Sequence, residues 1–187
     1  MKKLSILLFA LFLVSCEKGE TREELESSLE SALGVIASKS PLGGNDLFFQ
    51  NVSYGNGTRN VLGILMPSEG DSKGVVLFFH GGGFIAGDKA DAYNDLLLET
   101  MESLLVNKIT IVSANYTLIN SPGNKGVISA LEDGTAVINF VQSQLNNLKI
   151  PSNKIVFILH FFIFRRPYHR YKELISSSKN KFRHKWN

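Results

Sequence analysis

The chain has 187 residues, 44% of them apolar, with 20 Lys/Arg against 17 Asp/Glu. This is enough for one ordinary domain with a sizeable core. Its single cysteine, Cys16, excludes an intramolecular disulfide and any cysteine-based zinc site. The charge is unevenly placed. Residues 165–187 hold eight Lys/Arg and one Glu, whereas residues 1–164 hold twelve basic and sixteen acidic residues.

Residues 1–16 read as a targeting segment. Lys2 and Lys3 form a charged start, and residues 4–14 form an apolar run too short to span a bilayer as a normal helix. Leu13-Val14-Ser15-Cys16 resembles a bacterial lipobox, which implies a lipidated Cys16 and a chain anchored to an envelope membrane on the extracytoplasmic side. Residues 17–44 are polar and read as a tether. Within it Thr21 and Glu24 fit a capping box, and Leu25, Leu29, Leu33 and Ile36 recur at helical spacing.

The domain proper is expected over residues 45–158. Residues 46–54 and 59–66 read as two strands, and Gly55-Asn56-Gly57 between them signals a hairpin turn. Residues 75–79, Val-Val-Leu-Phe-Phe, read as a fully buried strand, followed by His80 and three glycines. Residues 91–105 are predicted as a helix with Leu96, Leu97, Met101, Leu104 and Leu105 on its apolar face. Residues 109–114 are the fourth strand, residues 127–148 a long helix, and residues 155–158 the start of a fifth strand. Strands alternating with helices predict an α/β fold, a mostly parallel sheet with an antiparallel edge.

The run His80-Gly81-Gly82-Gly83 carries the chemistry. Glycine lets the backbone turn sharply and bring N–H groups close to a ligand. N–H groups fixed at a strand end can stabilise a tetrahedral oxyanion. The stretch resembles the HGGG-type esterases and lipases of the α/β-hydrolase fold, related to hormone-sensitive lipase. Three other stretches carry the same resemblance: Tyr54-Gly55 with the run Val61-Leu62-Gly63-Ile64-Leu65-Met66-Pro67, Gly87-Asp88-Lys89, and Asn115-Tyr116-Thr117-Leu118, where Thr117 replaces an arginine. The resemblance implies the N-terminal half of such a sheet, an oxyanion hole at Gly81, Gly82 and Gly83, and a loop-shaping rather than a basic role for His80. It implies a small ester substrate in intact relatives and no cofactor or metal. Asp133 matches an acidic position of the family, and a solvated helix residue is the competing reading.

The pattern breaks after the fifth strand. Where the family places G-x-S-x-G, this chain runs His160-Phe161-Phe162-Ile163-Phe164-Arg165-Arg166-Pro167, and no serine follows until Ser176. No triad acid or base is recognisable, and His160, His169 and His184 are assigned to neither role. Residues 159–187 therefore read as a non-homologous basic tail. The expectation is a truncated or frame-shifted member, inactive as written, with a non-catalytic lipid-anchored binding protein as the alternative. A basic tail could neutralise phosphates, but nucleic acid is the weaker reading. The apolar residues 155–164 form a predicted aggregation-prone edge.

Two look-alike motifs are set aside. Gly70-Asp71-Ser72-Lys73-Gly74 matches G-x-S-x-G but precedes a strand instead of a helix. Residues 81–86 match G-x-G-x-x-A, but the predicted helix starts too late to place its N-terminus on a pyrophosphate.

Overall fold

The computed structural model describes residues 21–69 and 71–159. Cys16 and the expected targeting segment lie outside them, as do His160, His169, His184 and the rest of the expected basic tail after Leu159, which itself belongs to the fifth strand.

Five strands form one mixed sheet: β1 (Leu47–Ser53), β2 (Val61–Met66), β3 (Gly74–Phe79), β4 (Ile109–Ala114) and β5 (Ile155–Leu159), in the order β1-β2-β4-β3-β5. The hairpin pair β1–β2 and the pair β2–β4 are antiparallel, while β4–β3 and β3–β5 are parallel. The β1–β2 register slips between Phe49 and Val52, where Asn51 adopts a left-handed φ of 62°. That slip is a bulge, and it bends the edge strand. Among the described residues β5 pairs only with β3, so it forms the second edge.

The helices cover both faces because successive strand residues point to opposite sides. Val75, Leu77 and Phe79 of β3 face α3 (Val127–Gln144), meeting its Ala130, Val137 and Val141. Phe78 faces the other way, toward Met101 and Leu105 of α2 (Leu98–Val106). Every residue of β3 is buried, as its unbroken apolar run requires.

α1 (Arg22–Leu33) opens on the expected capping box. Thr21 N donates to Glu24 Oε2 at 2.8 Å and Glu24 N to Thr21 Oγ1 at 3.3 Å. It ends at Gly34 in the left-handed conformation. The expected tether is thus partly packed: Leu29 and Leu33 are buried in the main core, and Ser38 N donates to Phe48 O of β1.

One helix differs from its sequence reading. The stretch 91–105 divides into a 3₁₀ turn, Lys89–Tyr93, and α2, with Leu96 exposed between them. The side chains of Asp88 and Asn94 take backbone N–H groups that a continuous helix would have used: Asp88 Oδ1 accepts from Ala90 N and Asn94 Oδ1 from Leu96 N. The long helix also stops earlier, at Gln144, and the chain leaves it through turns held by Leu148 N to Gln144 O.

Leu77 lies fully buried on β3, an interior strand flanked by β4 and β5. Leu77→Ala is expected to lower unfolding stability by about 2–5 kcal/mol, through lost burial and the cavity left behind. Urea denaturation measures it, and a loss below about 1 kcal/mol would place this strand outside the cooperative core.

Candidate active site

The parallel register sets Phe79 beside Ala114 on one side and beside Leu159 on the other. The C-terminal ends of β3, β4 and β5 therefore lie at one edge of the sheet. His80 and the three glycines follow β3 there, and Asn115 and Tyr116 follow β4.

His80 is buried, 2% exposed. Its Nδ1 lies 2.8 Å from the Gly81 carbonyl and its Nε2 3.2 Å from Arg59 Nη2. A guanidinium can only donate, so Nε2 accepts and the ring proton sits on Nδ1, donated to Gly81 O. Tyr116 stacks on the ring at 4.2 Å and 14°, and its hydroxyl donates to His80 O at 2.8 Å. Burial, together with the Arg59 charge, holds the imidazole below the ordinary histidine range; the Gly81 bond and the carboxylates of Asp91 and Asp88 pull the other way. The ring is neutral and both nitrogens are engaged, so His80 has no lone pair to offer a nucleophile.

The glycines turn the chain through conformations other residues resist. Gly82 has φ 98°, Gly83 φ 60° and Gly87 φ 111°. A Cβ on Gly82 would overlap the Ala86 carbonyl, and one on Gly87 would overlap the His80 ring. Around Gly83 a Cβ would meet open space, so that side of the loop is accessible. Phe84, bulky and left-handed at φ 66°, carries backbone strain between them. Its carbonyl accepts from Ile119 N at 2.9 Å, and its ring lies 5.8 Å from Tyr116. Among the described residues, the Gly82 and Gly83 N–H groups meet no acceptor.

The BD-FAE family model, an α/β-hydrolase-type esterase family, matches residues 62–159, more than half of the chain. The chain belongs to the BD-FAE family. A search of curated proteins finds no match. Among solved structures, a bifunctional GH43-CE protein of Bacteroides eggerthii is 21% identical, with a TM-score of 0.49, over 60% of this chain and 14% of that one. Esterase 2 of Thermogutta terrifontis phosphorylated by paraoxon is 20% identical, with a TM-score of 0.49, over 62% of this chain and 43% of that one. Its propionate-bound form is 21% identical, with a TM-score of 0.48, over 57% and 39%. The chain thus spans less than half the length of these proteins.

In this BD-FAE chain the Asn115-Tyr116 turn ties the site together. Asn115 Oδ1 accepts from Lys89 N at 2.6 Å, and its Nδ2 donates to Asp88 Oδ2 at 2.8 Å. Burial raises the Asp88 pKa, but the hydrogen bonds from Ala90 and Asn115 outweigh it, and the carboxyl sits below its usual range. Asp133 is neither free nor solvated. Its Oδ1 accepts from Asn60 Nδ2 at 2.9 Å and its Oδ2 from Thr117 N at 2.7 Å. Asn60 Nδ2 also donates to Tyr54 Oη, whose hydroxyl donates to Asn115 O at 2.6 Å. One carboxylate on α3 thereby joins the hairpin tip to the turn after β4.

Sequence reading missed Arg59 and Asn60, which it placed in a strand. The strand begins only at Val61. The available signal was a polar Arg-Asn pair directly after a glycine turn, where a strand would favour apolar or β-branched residues. Ser72 of the look-alike motif is buried, its hydroxyl bonded to Thr110 Oγ1, and β3 follows it. The first helical turn after the glycines starts at Lys89, too far along for a dinucleotide site. Among the described residues no group of three His, Cys, Asp or Glu could hold a metal ion.

Because the folded chain keeps His80 neutral, the unfolded chain binds a proton that the folded one refuses. This contribution is whole above about pH 6.5 and is lost as pH falls below it. Stability should therefore decline as pH falls below about 6.5, and His80→Gln should remove that part of the decline. Denaturation midpoints across this range measure it; equal slopes in both proteins would contradict a neutral buried ring.

Proposed function

We propose that residues 80–83 form the oxyanion half of a carboxylic-ester hydrolase site, and that the chain as written cannot complete the reaction. One observation carries this: two adjacent glycine N–H groups that meet no acceptor among the described residues, held just past the end of β3 beside the end of β5. As a nucleophile attacks an ester carbonyl, negative charge develops on the oxygen. Preorganised N–H donors at Gly82 and Gly83 would meet that charge without reorganising. The Gly81 N–H likewise meets no acceptor among the described residues and would complete the set, while the Gly81 carbonyl fixes His80.

In the hydrolase architecture the nucleophile stands on a tight turn directly after the strand that β5 represents. In this sequence His160 follows Leu159, and the stretch 160–175 contains no serine and no glycine. Without a nucleophile only the modest acceleration from binding and the oxyanion donors is left. The substrate class by family is a small carboxylic ester. The chain then serves as an inactive hydrolase scaffold, or as a non-catalytic lipid-anchored binding protein on the same framework.

Cys16 would carry the lipid and place the domain at the extracytoplasmic face of a bacterial envelope membrane. Among the described residues no helix is long and apolar enough to cross a membrane, so anchoring would fall to the acyl chains.

Two experiments test this. The purified chain, given p-nitrophenyl butyrate and then paraoxon, should show no burst, no saturable turnover and no serine adduct by mass spectrometry. A phosphorylated serine would overturn the inactive reading. In a bacterial host the chain should incorporate labelled palmitate and partition with membranes, and Cys16→Ser should lose the label. Label retained in that variant would rule out the lipobox.

A further inference from the structure

We propose that Arg59, at the tip of the β1–β2 hairpin, is the positioning residue that sets the oxyanion loop. This deepens the reading of residues 80–83 as an oxyanion hole and rests on it. The hairpin itself lies two strands away from β3, beyond β4. Its tip nevertheless reaches the loop from the side, and one guanidinium ties together three separate pieces of chain. Arg59 Nε donates to Tyr116 O at 2.9 Å, and Nη2 donates to Gly87 O at 2.9 Å and to His80 Nε2 at 3.2 Å. His80 and Gly87 are the two ends of the segment that contains Gly82 and Gly83. Clamping both ends to one rigid planar group fixes the span between them.

The geometry is selective for arginine. Three acceptors at three different directions suit a planar fork with fixed donors, and a lysine ammonium on its flexible stem would not hold all three. The clamp also dictates the proton on His80. With Nε2 accepting from Arg59, the proton must sit on Nδ1, where it holds Gly81 O and so orients the first peptide of the loop. The hairpin tip is itself held. Asn60, next in sequence, is bonded to Asp133 of α3 and to Tyr54, and Gly57 N donates to Asn60 Oδ1 at 2.8 Å. Loop position is thus referred, through Arg59 and Asn60, to Asp133 of α3.

The groups facing His80 are Arg59 from the hairpin, Tyr116 from the turn after β4, Gly81 from its own loop, and Asp88 and Asp91 from the segment beyond the glycines. Arg59 is the only cation among them. Removing it should let the ring take a proton more readily and should release the loop.

The test uses the full chain in detergent, labelled with ¹⁵N-histidine, with His80→Gln identifying the His80 signals among the four histidines. In the unaltered chain His80 should be the neutral Nδ1–H tautomer. In Arg59→Ala its pKa should rise by about one unit or more. Exchange of the Ile85 amide, which donates to Gly82 O across the loop, should quicken by about tenfold or more, while the amides of β4 stay protected. Arg59→Lys, which keeps the cation but loses the fork, should leave the His80 titration nearer the parent and still release the loop. An Nε2–H tautomer in the unaltered chain overturns the proposal whether or not the variants fold. So does an unchanged loop in Arg59→Ala, or an exchange increase shared equally by β4. None of these readouts involves ester turnover, so a failure here is distinct from a failure of the esterase reading.

Discussion

A neutral imidazole, buried between a guanidinium and a carbonyl, is the contact on which the site depends. His80 can be neutral there because its two nitrogens have complementary partners, Arg59 donating and Gly81 accepting. A protonated ring would set two cations against each other in a buried place. Tyr116 closes one face of the ring and also caps the His80 carbonyl, so side chain and backbone are fixed by one neighbour. The loop's unusual backbone follows from this anchoring. Three left-handed glycines and a strained Phe84 persist only where the surroundings over-determine them.

The sheet order explains how these groups meet. β3 lies between β4 and β5, and all three run in one direction. Their ends share one edge of the sheet, the place where open α/β sheets offer ligands a site. Residues just past β4 thus stand beside residues just past β3, which is why Asn115 and Tyr116 reach Lys89, Asp88 and His80. The antiparallel β2 brings the hairpin tip to the same edge, because Leu62 pairs with Ala114. The site is a junction of four segments far apart in the chain.

The same geometry frames the functional question. On the proposed reading, the nucleophile for an ester held at Gly82 and Gly83 would come from the sequence directly after β5. In this chain that position is occupied in sequence by His160 and aromatic residues. The loop of residues 80–83 is held in detail, from Arg59 at the hairpin tip to the carboxylate of Asp133, while residues 160–175 contain no serine. On the proposed reading, this BD-FAE chain would offer the oxyanion donors without a serine nucleophile.

Much of this was legible in the sequence for local reasons. The unbroken apolar run of β3, the alternation of strands and helices, the Thr21–Glu24 cap and the glycines after His80 each depend on neighbouring residues, so a linear reading finds them. Dividing the 91–105 stretch was harder, because the Asp88 and Asn94 caps compete with helix by side-chain bonds that apolar periodicity does not register. Only the tertiary structure decided what Arg59, Asn60 and Asp133 do. The bonds from Arg59 to His80, Gly87 and Tyr116 and from Asn60 to Asp133 span 21 to 73 residues, and nothing in the local sequence distinguishes these contacts from solvated side chains. Sequence determines the strands and the glycine turn through local propensity and period; the fold alone determines which distant donors hold that turn in place.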